Sequence, residues 1–507
     1  MTRPMGEGRA DSALEIGECL AEPPSRQLIQ SAFDRELHSQ LCLARAVNWA
    51  DLAHTLVLAD RGVIPESSAR ALLAALLELE AAPPSFAPSA EFGDLYTNRE
   101  AWLAERTEAA GWLGVARARR EALTTAWHLV VCEELLNLGE ALAAMARSLI
   151  AASLKHRDTL VPDYTYLQAA EPTTFGHYLQ SFAWPILRDF DRIAALHGRV
   201  DRCPAGIGSA NGSVTMQDRR AQASMLGFRE PVRHARDAMW QPDLAMESVN
   251  VAVMATVNLD RLAEDLLVFA SAEFGFIHLA DRHARASKIM PQKKNPFALA
   301  FLRATANRLI GLQAGTAAAS RTLSGQVDNR IFTYGDVPDA LRSAAEAVSL
   351  LAECLDGLSV DTARAAALLD DRSTCAADLA ERLMAEAPIS YRDAHGVVGR
   401  LIHALGERGR SLADATPHDV LRAFQAAGLP MAGIGDEVVR MALDPAACIA
   451  ARTDIGGAAA GEVTAMAEAL AAAVDGCRPC FRSIGEDRKA AIGRLLAKAR
   501  ARAGGAG

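Results

Sequence analysis

Helical apolar spacing runs through the middle of this chain over stretches much longer than an ordinary globular helix. Residues 117–161, 173–200, 249–280 and 296–323 each read as one long helix. In the third, Val253, Val257, Leu262, Leu266 and Phe269 recur near the helical period of about 3.6 residues with few breakers between them. Helices of that length joined by long loops pack along one another as a bundle. Aromatics make up 5% of the chain while Ala and Leu abound, and β-branched residues are not gathered into runs, which favours helix over sheet. The expectation is an all-α chain with a central bundle of long helices and two smaller helical end domains.

Breakers place the boundaries. Residues 1–25 are mixed and polar and read as a loose arm. Residues 26–116 read as an N-terminal helical domain, with Leu43, Ala46, Leu52, Leu56 and Leu58 at helical spacing. There Ile64-Pro-Glu-Ser-Ser68 ends one helix and caps the next, and Pro83-Pro-Ser-Phe-Ala-Pro88 is a loop. Residues 117–370 hold the bundle and two loops of interest, the glycine-rich Pro204-Ala-Gly-Ile-Gly-Ser-Ala-Asn-Gly212 and the segment 281–294. Beyond Asp370 the helices shorten, with breaks at Pro388, Pro417 and Pro430, giving a C-terminal helical domain over 371–475. Residues 476–507 read as an extension whose Ala/Arg/Gly-rich end frays from Arg494 onward.

A formal charge of −9 gives no general pull toward nucleic acid or an anionic membrane. Nine cysteines form no disulfide framework, and the isolated Cys477-Arg-Pro-Cys480 lacks the second pair of ligands a zinc site requires. Such cysteine usage suits a reducing cytoplasm, where this chain is expected to reside. Met1-Thr-Arg-Pro-Met-Gly-Glu-Gly8 has no signal-peptide core, and no apolar run reaches the roughly 18 residues of a membrane span. No nucleotide fingerprint or metal spacing appears, so no cofactor is expected.

The stretch with the most chemistry is Ser287-Lys-Ile-Met-Pro-Gln-Lys-Lys-Asn-Pro296. A polar loop presents a serine, lysines and an asparagine, and Pro296 opens a long helix at its first turn. The N-terminus of a helix offers unpaired N–H groups and a positive dipole end, both suited to a carboxylate. Lys293 adds a charge and Asn295 an amide donor.

This decapeptide resembles the signature loop of the argininosuccinate lyase/fumarase/aspartase superfamily, in the form typical of argininosuccinate lyases. Tyr164-Thr-Tyr-Leu-Gln-Ala-Ala-Glu-Pro-Thr-Thr-Phe-Gly-His177 is similar to the second family region, and Leu262-Ala-Glu-Asp-Leu266 precedes the loop as in the family. Tyr391-Arg-Asp-Ala-His-Gly-Val-Val-Gly-Arg400 and Ala451-Arg-Thr-Asp-Ile-Gly-Gly457 resemble the C-terminal domain of argininosuccinate lyases. The match runs over roughly residues 30–470. The resemblance implies the fumarase/aspartase-type fold, a homotetramer with active sites shared among subunits, and a small-molecule carboxylate substrate. It also implies a β-elimination through an aci-carboxylate that releases fumarate. By the same resemblance Ser287 is the base, while Lys293 and Asn295 hold the carboxylate whose charge grows in the transition state. Thr165 and Arg119 align with substrate contacts, Asp51 with the serine expected to touch the amino-acid moiety, and His177 is retained.

The departures are as informative. The family's Thr-His reads Thr165-Tyr166, and its Asp-x-His reads Asp94-Leu-Tyr96. A phenol ionises near 10 against about 6.5 for histidine, so Tyr166 can orient or protonate a leaving group but is no cation at neutral pH. Gly-Arg-Ser-Arg-Asn-Asp has become Ala116-Arg-Ala-Arg-Arg-Glu121, so Arg120 replaces an asparagine and can grip a second carboxylate. The alternative is that Arg117 and Arg120 simply face water. The arginine-recognition segment is replaced by Val327-Asp-Asn-Arg-Ile-Phe332. The expected reaction is therefore C–N cleavage of an N-succinyl-type or amino-dicarboxylate substrate other than argininosuccinate. A C–O or C–C lyase or cyclase on the same scaffold, or a catalytically impaired homologue, are the alternatives.

Overall fold

The computed structural model describes residues 22–215, 218–239, 242–322, 330–430 and 433–504. Most of the arm read over residues 1–25, and Val327–Asn329 of the replaced recognition segment, lie outside them. Helices α1 (Ala44–Asp60), α2 (Glu66–Glu80) and α3 (Leu95–Ala104) form the N-terminal part. Asp94 caps α3, its Oδ1 accepting from the Thr97 amide at 2.9 Å.

The long elements follow. Helix α4 (Arg119–Lys155) is Ala/Leu-rich, has no proline, and buries side chains on several faces. The chain then turns through an antiparallel hairpin of β1 (Leu160–Thr165) and β2 (Gln168–Thr174) into α5 (Phe175–Val200). Thr174 caps α5 by accepting from the His177 amide at 3.0 Å. Helix α6 (Pro242–Phe269) starts on a proline; the two-residue strands β3 (Arg285–Ala286) and β4 (Lys294–Asn295) follow, then α7 (Phe297–Ala319) and α8 (Arg330–Asp356). Helix α4 packs on α5 and α8, and α6 on α5, α7 and α8. Beyond these come α9 (Ala376–Glu386), α10 (Tyr391–Gly406) and α11 (Pro417–Ala427), whose apolar faces meet in a second core with Cys375 and Cys448. Helix α12 (Ala460–Ala503) follows; its 44 residues run unbroken across the boundary read between 475 and 476, against the expectation that helices only shorten beyond Asp370. The architecture is all-α, a central helix bundle flanked by smaller helical parts.

The helices alternate in direction, so the bundle has two distinct ends. Thr124 near the start of α4, Pro242 at the start of α6, Ser320 just past α7 and Arg330 at the start of α8 line one small cavity. The end of α5 lies there too, since the His128 ring meets the Val200 carbonyl at 2.8 Å. At the other end are the hairpin, the start of α5 and the end of α6, where Tyr164 packs on Phe269. Residues Ile277–His278 pair there with Ser359–Val360, just beyond α8.

Four expectations are corrected. The first helix stops at Lys155, and 160–174 is a hairpin rather than helix followed by loop. The third runs 242–269 instead of 249–280. A fifth long helix, α8, went unread because Gly335 and Pro338 look like breakers. Gly335 is there for close approach: a Cβ would lie 2.6 Å from the Ser39 carbonyl oxygen. Nor do residues 494–503 fray: they continue α12, and Leu495 and Ala499 are buried. Lys498 meets Asp60 at 2.7 Å and Arg502 meets Glu66 at 2.7 Å, tying the end of α12 to the N-terminal helices. Among the described residues no helix is long and apolar enough to cross a membrane.

Candidate active site

The signature segment forms a tight loop. Strands β3 and β4 pair Arg285 with Asn295 and Ala286 with Lys294, and the Ser287 amide donates to the Lys293 carbonyl at 3.1 Å. Inside this closure the Ser287 Oγ accepts from the amides of Met290 at 3.1 Å and Ile289 at 3.4 Å. Two N–H dipoles on one hydroxyl oxygen favour negative charge on it. Lys293 is exposed, whereas Lys294 is paired with Asp281 at 2.7 Å. The Asn295 amide donates to the Arg285 carbonyl at 3.1 Å, bracing the ribbon.

Thr165 and Tyr166 sit at the tip of the β1–β2 hairpin. Tyr166 is fully exposed, standing at the rim of a surface cavity and not packed into it. Tyr166 and Leu167 form the two-residue turn with φ of 55° and 56°, a left-handed conformation usually left to Asn and Gly. His177 is held at both ring nitrogens, near Thr173 Oγ1 at 3.1 Å and the Gly456 carbonyl at 3.0 Å. Arg452 donates to the Pro172 carbonyl at 3.0 Å and to Asp378 at 3.1 Å, anchoring β2 to the C-terminal part. His177 thus orients the hairpin base.

The arginines lie at the start of α4. Arg119 is half-exposed and reaches Asp94 at 3.5 Å. Arg120, partly buried, lies beside Tyr334, Arg119 and Glu36; burial, reinforced by Arg119, lowers its pKa. Burial and neighbouring Asp94 raise that of Glu36. Asp51, aligned with a substrate contact, is wholly buried. Its oxygens receive Arg99 at 2.6 Å and Arg117 at 2.6 Å, so within this chain it is a structural anion instead of an open ligand. Arg117 does not face water: its side chain is fully buried between Asp51 and Glu121, the latter at 3.4 Å. Tyr96 is buried as well, and burial raises its phenol pKa.

The sequence reading missed the rest of this charge cluster. Burial pushes the Glu121 carboxyl up to about 7 against the opposing pull of Arg117 and the amides of Gly206 and Gly208. Burial and the charges of Asp51 and Asp94 push Glu100 up to about 7. The glycine-rich loop wraps this helix start, the Ala118 amide donating to the Gly208 carbonyl at 3.1 Å. Gly208 has φ +66°, and a Cβ there would lie 2.7 Å from the Gly212 carbonyl oxygen. The four-residue spacing of Arg117 and Glu121 was the available signal; nothing local marks Arg99 or Glu100.

The two groups stand far apart. Helix α4 has 37 residues, which at 1.5 Å per residue separates its start from the hairpin by about 55 Å. One chain brings Ser287, Lys293, Asn295, Thr165 and Tyr166 to one end of the bundle, and Arg119, Arg120 and Asp51 to the other. Among the described residues no cluster of three or more His, Cys, Asp or Glu is placed to hold a metal ion.

Known proteins resemble this chain in sequence and in fold. Residues 89–311 match the lyase family and residues 373–450 the argininosuccinate lyase C-terminal family. An argininosuccinate lyase of Halorhodospira halophila is 34% identical over 423 residues, 82% of this chain and 89% of that protein. The argininosuccinate lyase of a Chelativorans species is 32% identical over 80% of this chain and 86% of its own. In fold, an EDDS lyase crystal structure in complex with formate superposes with a TM-score of 0.85 at 23% identity, covering 97% of this chain and 98% of that one. A 3-carboxy-cis,cis-muconate lactonizing enzyme from Pseudomonas putida gives a TM-score of 0.69 at 20% identity, covering 89% of this chain and 99% of that one. With more than four-fifths of the chain aligned at this identity, and both family regions in place, the chain belongs to the fumarase/aspartase superfamily as a lyase related to argininosuccinate lyase.

Proposed function

We propose that this enzyme cleaves a C–N bond by β-elimination in an N-succinyl-type or amino-dicarboxylate substrate, releasing fumarate or a related enoate, with Ser287 as the base. The observation that carries this reading is the pair of amides directed at the Ser287 Oγ. A serine hydroxyl is a poor base at neutral pH, and donors that favour its alkoxide address that difficulty. Lys293 and Asn295 receive the substrate carboxylate once the loop closes, and Tyr166 delivers or orients the proton for the departing nitrogen.

Arg119, Arg120 and Thr165 complete the substrate contacts in a site drawn from several copies of the chain. The reason is the spacing: about 55 Å of helix lies between the arginines and the hairpin. Helix α7 favours such assembly as a homotetramer, since its outward face leaves Phe297, Phe301, Ala304, Gly311, Ala314 and Ala318 exposed. An apolar, small-residue stripe of that kind suits packing against another helix.

We place argininosuccinate outside the substrate range, because Phe332, 51% exposed, stands in the segment that meets the guanidinium in the family. A buried polar group of arginine left unpaired would cost about 1–3 kcal/mol. The C-terminal match to argininosuccinate lyases favours C–N cleavage over the cyclase reading. The test is ultraviolet detection of new enoate with a panel of N-succinyl amino acids and aminopolycarboxylates, argininosuccinate included. Turnover of a panel member with little on argininosuccinate is expected. A kcat on argininosuccinate within the ordinary range of roughly 1–10³ s⁻¹ would refute the proposed specificity.

A further inference from the structure

A cavity of about 480 Å³ opens between the hairpin and the helix ends beneath it. Aromatic rings form much of its wall, among them Tyr164, Tyr178, Phe269 and Phe276. They are held by one another: Phe269 and Phe276 have centroids 4.7 Å apart, and Tyr178 and Phe269 5.7 Å apart. Two carboxylates, Asp163 and Asp265, complete the polar lining, and no Lys, Arg or His faces the space. The Tyr178 hydroxyl donates to Asp265 Oδ2 at 2.6 Å, fixing that carboxyl against the rings.

The nearby basic groups are outside the lining. Arg364 is committed to the carbonyls of Glu273 at 2.8 Å and Phe274 at 2.9 Å. Burial raises the pKa of Asp265, and Glu264 and Asp163 add to this; the Tyr178 hydroxyl and Arg261, solvent-exposed on α6, oppose it, and a bound cation would favour its ionised form further. The faces of aromatic rings carry negative potential and attract ammonium and guanidinium groups, most strongly where water is displaced. A carboxylate ligand would meet two like charges, and a neutral apolar ligand would desolvate Asp265 without compensation.

We infer that this cavity is a binding site for an organic cation, an alkylammonium or guanidinium compound. Its lining includes none of Ser287, Lys293 and Asn295, although it borders the hairpin tip that carries Thr165 and Tyr166, and the inference stands whether or not the lyase reading holds. Because Tyr166 and Leu167 border the same cavity, an occupant would brace the hairpin tip from below.

The experiment is calorimetric titration of the full-length protein with butylguanidinium, using butylurea as its uncharged counterpart. Butylguanidinium is expected to bind saturably at one per chain, and butylurea much more weakly. Asp265→Asn keeps an acceptor for Tyr178 but removes the charge, and should weaken binding by about tenfold or more. Val268→Trp, which fills the cavity, should abolish it. If Asp265→Asn does not fold, Asp163→Asn, at an exposed position of β1, should weaken binding by a smaller factor. Equal affinity for the charged and uncharged probes, or unchanged binding in the folded variants, would overturn the assignment. So would displacement of butylguanidinium by fumarate, which would make the cavity part of the carboxylate site.

Discussion

Ser287 and Asp51 were both read from alignment with a family pattern, and the structure places them in opposite settings. Ser287 lies on an exposed loop closed by backbone pairing and braced by the Asn295 amide. Ser287→Ala should therefore melt within about 0.5 kcal/mol of wild type while kcat on the true substrate falls about 10²–10⁴-fold. Full activity in that variant would remove the serine from the mechanism. Asp51, in contrast, is locked between Arg99 and Arg117, 48 and 66 positions away. Arg117→Ala leaves the buried Glu121 without its cation and Asp51 with Arg99 alone, and should cost about 3–5 kcal/mol, read as a lower urea midpoint. A loss below about 1 kcal/mol, the range of surface pairs, would mean that the cluster is hydrated. The signature motif was legible because its ten residues are contiguous. The charge cluster was not, because its members come from three segments that only folding brings together.

At the level of elements, helices were read where apolar periodicity ran free of breakers, and missed where a breaker served packing. Helix α8 tolerates Pro338 and uses Gly335 against residue 39, and α12 runs through Pro479. Tertiary burial of an apolar face outweighs such local costs. The hairpin shows the reverse, an element whose locally unfavourable turn coincides with a candidate catalytic residue. Left-handed backbone at Tyr166 and Leu167 costs on the order of 1–2 kcal/mol per residue. Replacing the pair by Asn-Gly, the preferred residues for this turn, should raise stability by about 1–3 kcal/mol. It should also lower kcat, since the phenol is lost. A stabilised variant with wild-type kcat would show that the tip plays no part in the reaction.

For the whole molecule, the separation of the two groups of site residues is the deciding feature. If each site takes Ser287 from one copy and Arg119 from another, Ser287→Ala and Arg119→Ala proteins, each inactive alone, should complement when co-assembled. Random mixing in equal amounts leaves about one quarter of sites intact, so activity near that fraction is expected after co-refolding. No recovery in mixed assemblies of native size would mean that the site is not shared in this way. The sequence by itself determined the helical class, the superfamily and the signature loop, since periodicity and a contiguous motif are local properties of a chain. Only the tertiary structure decided that α8 continues past its glycine and proline, that Asp51 is held within a buried ion cluster, and that the arginines and Ser287 stand at opposite ends of the bundle. Those outcomes depend on which distant residues share a core and on the direction in which each helix runs, and neither is encoded in any one stretch of residues.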